Sequence, residues 1–179
     1  MLAKYATEEY VVIDTKSRKF MYYEANGGKI FYNLEHPNAS FYDVVKSLTH
    51  ETAHLIDFEF GISVSLHREI FEAVEEARAI LFSRRKYYET LLDGALGDNM
   101  AVSDLVSAFT DSEIIGAFAH TKEYWSGLGN REREMIAELA TIHYLGDKEG
   151  LLFIKNFPKV KHLFEEVKIY YERSTGITA

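Results

Sequence analysis

From about residue 40 onward, the apolar residues recur at three- and four-residue steps almost to the end of the chain. That rhythm commits most of the protein to packed helices. Before it, Tyr10–Asp14, Lys19–Tyr23 and Lys29–Asn33 are short runs of strand formers, separated by turn signals at Thr15–Ser17 and Asn26-Gly27-Gly28. They predict a small antiparallel sheet. Ser40 followed by Asp43 resembles a capping box that opens a helix ending near Phe60, before Gly61, with Phe41, Val44, Val45, Leu48, Leu55 and Ile56 on its apolar face. A long helix is predicted from Ser65 to Asp93, through IFEAVEEARAILF, and then a loop over Gly94–Ala101. A short helix over Val102–Phe109 leads through an aperiodic segment to Trp125. Asn130 is expected to cap a helix over Arg131–Leu145 that stops at Gly146. Two more, about Asp147–Asn156 and Pro158–Glu172, close the chain, the second with proline at a favoured first-turn position. No repeat, low-complexity tract or linker interrupts this order. The expectation is one α+β domain, mostly α, over residues 1–179.

Composition narrows the chemistry. The formal net charge of −8 argues against general nucleic-acid binding, which needs Lys and Arg facing phosphates. With no cysteine, thiolate metal sites, disulfides and a cysteine nucleophile are excluded, so any metal must be held by histidines and carboxylates. No run approaches the roughly 18 apolar residues of a membrane span, and MLAKYATEEYVV lacks the pattern of a signal peptide. A cytoplasmic or virion-associated protein with no membrane partner is the expectation.

Within the first predicted helix stands His50-Glu51-Thr52-Ala53-His54. Residues i and i+4 of a helix share one face, so the two imidazoles can converge on one ion. Glu51, one residue on from His50, flanks that ion and can accept a proton from a bound water, whose pKa zinc lowers to roughly 7. A catalytic zinc needs a third protein ligand, and NREREMIAELATIHYLG supplies candidates. Glu134 and Glu138 again lie at i and i+4, beside the apolar Met135, Ile136, Leu139 and Ile142. Two carboxylates on a partly buried face are costly unless a cation sits opposite. Glu132 is a further candidate, but it shares its face with Arg131 and Arg133. Asp57, one turn beyond His54, either holds a ligand histidine or ends the helix.

These motifs resemble the anthrax lethal factor-like group of HExxH/ExxxE zinc metallopeptidases. HETAHLID, then EREMIAELATIHYLGD, then FPKVKHLFEE follow that group's order of an HExxHxxD helix, an ExxxE helix and a closing P-K-x-x-x-F segment. SDLVSAFTDSEIIGAFAHTKEYW is similar to a stretch recurring in the metallopeptidase-like domains of phage head (minor capsid) proteins, and related domains occur in bacterial toxins. The resemblance covers about Ser40 to Tyr170, and the predicted strands match only in kind. It implies a zincin-like fold with zinc ligands His50, His54 and Glu134, Glu51 as base, and Glu138 supporting a ligand histidine. It also implies an oxyanion donor. Tyr124, ten residues before Glu134 and at a different spacing from the group's tyrosine, is one candidate, and His120 is its rival. The stretch Ser65–Asp93 is an elaboration on the group's pattern.

The expected activity is hydrolysis of a peptide bond in a peptide or protein substrate, with zinc as cofactor and Lys29–Asn33 offering an edge for an extended substrate. One alternative is a phage structural or toxin-associated component, with a phage or bacterial protein partner, that keeps the zinc fold without proteolysis. Another is a zinc hydrolase of non-peptide amides. His36, His67, His143 and His162 have no partner spacing and are expected to be structural or exposed.

Overall fold

The structure is a computed structural model that describes residue 5, residues 7–37 and residues 43–176. Among the described residues, three strands precede nine helices: β1 (Val11–Ile13), β2 (Met21–Glu24), β3 (Lys29–Tyr32), α1 (Val44–Phe60), α2 (Ile62–Ser65), α3 (His67–Ser83), α4 (Arg85–Asp93), α5 (Met100–Thr110), α6 (Lys122–Trp125), α7 (Asn130–Leu145), α8 (Lys148–Ile154) and α9 (Pro158–Thr175). The expected α+β class, mostly α, is the one observed. None of these helices is long and apolar enough to cross a membrane.

The sheet corrects two expectations. Its order is β1-β3-β2, and β3 runs parallel to β1 but antiparallel to β2, so the sheet is mixed. Lys29–Asn33 therefore lies in the middle, with both edges already paired, and cannot accept a substrate strand. Among the described residues the outer edges of the sheet lie on β1 and β2, and the β2 edge meets the helix that carries Glu51. In the β2–β3 ladder the Asn33 amide donates to the Phe20 carbonyl at 2.8 Å. Alternation then turns the backbone groups of Met21 and Tyr23 away from β3 and toward the helices.

The helix-forming logic of α1 is clear at both ends. Asp43 caps its start, accepting from the Val45 and Lys46 amides at 2.9 and 3.0 Å, while Ser40 and Phe41 lie outside the described residues. Gly61 ends it in the left-handed region (φ 63°), which an L side chain resists. Asp57 is the ender of the two roles left open for it: its carboxylate accepts the Ser63 amide at 2.6 Å and so caps the start of α2.

The predicted Ser65–Asp93 helix is broken. Leu66 (φ −101°, ψ 15°) and Arg84 (φ −129°, ψ 33°) leave helical geometry, dividing the stretch into the end of α2, α3 and α4. The second break lets α4 bury Tyr88 and Leu92, with Tyr88 ringed by Phe153 and Phe157. Two caps also shift. Asn99 caps α5, its side chain accepting from the Val102 amide, so the helix starts at Met100 inside the predicted loop. Asn130 is already helical and caps nothing, because Gly129 precedes it and its side-chain amide reaches the Tyr124 carbonyl at 2.8 Å.

Helix α7 is the axis of the body. Every residue from Glu134 to Ile142 is buried, and α1, α5 and α9 pack around it. Small residues, Ala53 on α1 and Ala137 and Ala140 on α7, permit close approach of the two backbones. Buried hydroxyls on both helices are satisfied locally: Thr49, Thr52 and Thr141 each donate to the carbonyl four residues back.

A long-range bond fixes α1 against the last helix. The fully buried Tyr171 hydroxyl on α9 donates to the Ala53 carbonyl, inside the His-Glu motif, at 2.8 Å. Tyr171→Phe should lower stability by about 1–2 kcal/mol, read as a reduced urea midpoint with an unchanged slope. An unchanged midpoint would show that this bond contributes nothing net.

Candidate metal centre

The crossing of α1 and α7 brings the sequence-selected residues together. His54 Nε2 lies 3.0 Å from His50 Nε2, and Glu134 Oε2 lies 3.1 Å from the first histidine of the pair, His50, and 3.3 Å from His54. A tetrahedral ion with bonds of about 2.0–2.2 Å places its ligand atoms about 3.3 Å apart, so this triangle matches one face of such a coordination shell. On its other side the His50 ring meets Glu138, with Nδ1 3.1 Å from Oε1. A proton held there leaves a lone pair on Nε2, aimed at the centre. Glu134 Oε2 is buried and has no hydrogen-bond donor. Two imidazole nitrogens and a carboxylate oxygen converging within 3.3 Å of one another could hold a divalent cation. Glu132, the other candidate ligand, turns away to His67 at 3.5 Å.

Without an ion the same geometry traps a proton. Burial works to lower the His50 pKa, but the Glu138 charge, followed by the bonds to Glu134 and Glu138, raises it well above the ordinary histidine value. Burial likewise works to raise the Glu134 pKa, and His54 and His50 together hold it well below the usual carboxylate range. The two carboxylates thus favour the charged form of the half-buried His50 ring between them.

The wall opposite α1 is built by the segment that the sequence left aperiodic. Asp111 (φ 51°) and Ser112 (φ 60°) turn the chain through the left-handed region at the end of α5. Arg78 (2.5 Å) and Arg131 both clamp the Asp111 carboxylate, holding that corner. The chain then runs back along α5, hooked by its polar side chains. The Ser103 hydroxyl accepts the Phe118 amide at 3.0 Å, and a Cβ on Gly116 would sit 2.5 Å from that hydroxyl oxygen, so only glycine lets the loop lie this close. Asp104 Oδ1 accepts both the backbone amide (3.1 Å) and ring Nδ1 (2.6 Å) of His120. Beyond it, the Ser112 hydroxyl donates to the His120 carbonyl and accepts the Trp125 indole N–H.

This loop places His120 and Tyr124 over the centre, their rings stacked 4.0 Å apart. The two candidate oxyanion donors are not equivalent. The Tyr124 hydroxyl donates to Glu134 Oε1 and so orients that carboxylate, whereas the His120 ring, held through Nδ1, lines the cleft. Asp104, buried and bonded through one oxygen, is the member that sequence reasoning missed. It stands in the SD of the quoted motif, sixteen residues before His120, a separation that local periodicity cannot interpret.

Glu51 completes the site from α1. Its Oε2 accepts the Tyr23 amide of β2 at 2.7 Å, so the outer β2 edge orients the carboxylate. The centre lies in a cleft of about 630 Å³ whose lining includes Tyr22, Tyr23, Phe58, Phe118 and His36. His36, expected to be structural or exposed, sits on its rim, with Nε2 3.2 Å from the Arg18 carbonyl.

Zinc titrated into the metal-free protein should bind one ion with release of protons, because His50 must give up its proton. Affinity should therefore rise with pH until the raised His50 pKa is passed. Glu134→Ala should remove stoichiometric binding, and Glu138→Ala should weaken it about 10- to 100-fold, by competition with a chelating dye. Full-strength binding by Glu134→Ala would reject this ligand set.

Compared with known proteins, the chain matches no family model, no curated protein and no solved structure.

Proposed function

We propose that the protein is a metal-dependent peptidase, with zinc as the fitting ion. The supporting observation is the convergence of His50, His54 and Glu134 at the foot of a cleft that also holds Glu51 and the outer edge of β2. The motif resemblance to lethal factor-like metallopeptidases points the same way. A bound zinc would supply Lewis acidity and lower the pKa of a coordinated water to about 7.

The chain's own groups divide the remaining work. An extended substrate pairs with the outward backbone groups of Met21 and with the Tyr23 carbonyl, which sets the scissile bond beside the centre. Glu51, held by the Tyr23 amide through one carboxylate oxygen, accepts the proton of the attacking water and passes it to the leaving amine. His120 donates a hydrogen bond to the developing oxyanion, and Asp104 fixes the ring that does so. Tyr124 and Glu138 hold the ligands Glu134 and His50 in register.

Glu51→Gln should retain zinc and lose about 10²- to 10⁴-fold in kcat on a cleaved peptide. Turnover equal to wild type would reject its role as base. Asp104→Asn should lower kcat about a hundredfold with zinc content and KM unchanged, while Tyr124→Phe should mainly weaken zinc binding. The reverse pattern, a zinc-replete Tyr124→Phe without turnover beside an unaffected Asp104→Asn, would hand the oxyanion to Tyr124.

A further inference from the structure

The acidic groups in the cleft are all engaged within the centre itself. Glu51 accepts the Tyr23 amide, Asp104 holds His120, and Glu134 and Glu138 hold the ligand histidines. The remaining charged groups lining the cleft, beyond the histidines, are Arg18, Lys19 and Arg133. All three are exposed and, among the described residues, none forms an ion pair with a carboxylate. Arg133 spends hydrogen bonds on neutral partners, Asn130 Oδ1 and the Leu128 carbonyl. Lys19 lies 5.4 Å from the centroid of the Tyr22 ring.

Their placement is informative. Arg18 and Lys19 stand immediately before β2, at one end of its outer edge, and Arg133 stands one residue before the ligand Glu134 on α7. Unpaired cations thus flank the cleft from two separate elements in a chain whose formal net charge is −8. Elsewhere Arg68, Arg78, Arg85, Arg131 and Lys159 reach carboxylates, while among the described residues Lys86, Lys148 and Lys161 on the surface form no ion pair; what sets Arg18, Lys19 and Arg133 apart is that they line the cleft. A rim left with cations is complementary to a negatively charged occupant.

From this we infer that the substrate is an acidic peptide, carrying Asp or Glu within a few residues on either side of the scissile bond. The inference rests on the peptidase reading for its scissile bond, but its charge argument belongs to the cleft. A peptide fits better than a nucleic acid. The β2 edge offers backbone pairing, and three cations on an acidic protein are few for a phosphate chain. The side chains of Arg18 and Lys19 would read acids on the sheet side, and Arg133 those on the α7 side.

The test joins binding to cleavage. Zinc-loaded Glu51→Gln protein is titrated by fluorescence anisotropy with labelled ten-residue peptides rich in Glu, in Lys or in neither, and with a single-stranded oligonucleotide. The Glu-rich peptide should bind at least about tenfold more tightly than the Lys-rich one, and added salt should erode the difference. Charge reversal in Arg18→Glu/Lys19→Glu and in Arg133→Glu, on surface positions that leave the core intact, should invert or abolish that ratio. In parallel, wild type is given a mixed peptide library, and the residues flanking cut sites should be enriched in Asp and Glu.

Equal binding of the peptides, a preference for the basic one, tighter binding of the oligonucleotide, or a ratio unmoved by charge reversal would overturn the inference. Cleavage without acidic preference would leave the peptidase reading standing and remove this one. Acidic binding that charge reversal abolishes, with no peptide cut, would do the opposite.

Discussion

The structure turns on four ionisable side chains, two buried and two half-buried, held between two helices. His50 and His54 on α1 face Glu134 and Glu138 on α7, where both carboxylates are almost fully removed from water. Taking a carboxylate out of water costs several kcal/mol even after relaxation, and each carboxylate here survives because an imidazole or a cation faces it. That requirement fixes the register of the two helices. A slip of one turn would leave a buried charge without a partner, a penalty larger than most single packing contacts can offset. The small residues at the crossing and the Tyr171 bond to Ala53 then hold the register from the apolar side.

Around this crossing the remaining elements act as positioning devices. The sheet contributes one amide, from Tyr23, to Glu51, and the rest of the outer β2 edge to the cleft. The α5 helix acts through Ser103 and Asp104, which pin the returning loop so that His120 and Tyr124 arrive on the far wall. The corner at Asp111 and Ser112 adopts a backbone conformation that non-glycine residues avoid, and two arginines on one carboxylate hold it there. Backbone strain at that corner is the local cost of delivering the loop to the centre.

Much of this was readable in advance where the signal was periodic. The i, i+4 spacing of His50 with His54, and of Glu134 with Glu138, needed only helix geometry to put each pair on one face. Gly61 and Gly146, as left-handed helix ends, were equally local. The failures are of one kind. Arg84 breaks a helix whose sequence carries neither glycine nor proline, because the break lets Tyr88 pack on Phe153 and Phe157 and buries Leu92. The strand order put β3 in the middle, since pairing depends on which edges meet and not on the strand's own residues. Asn130 lost its capping role to Gly129 and was drawn to a carbonyl six residues earlier.

What the sequence determined by itself was the mostly helical α+β class, the two helix faces bearing candidate ligands, and the exclusion of thiolate chemistry. These follow from residue type and from the fixed 3.6-residue turn, which act over a few positions. The tertiary structure alone decided that the two faces meet, that Asp104 secures His120, that Tyr124 serves Glu134, and that Tyr23 steadies Glu51. Each of those contacts joins residues 10 to 28 or more positions apart. No periodicity spans such a gap, because it is closed by burial of apolar surface that carries no record of which polar groups will meet.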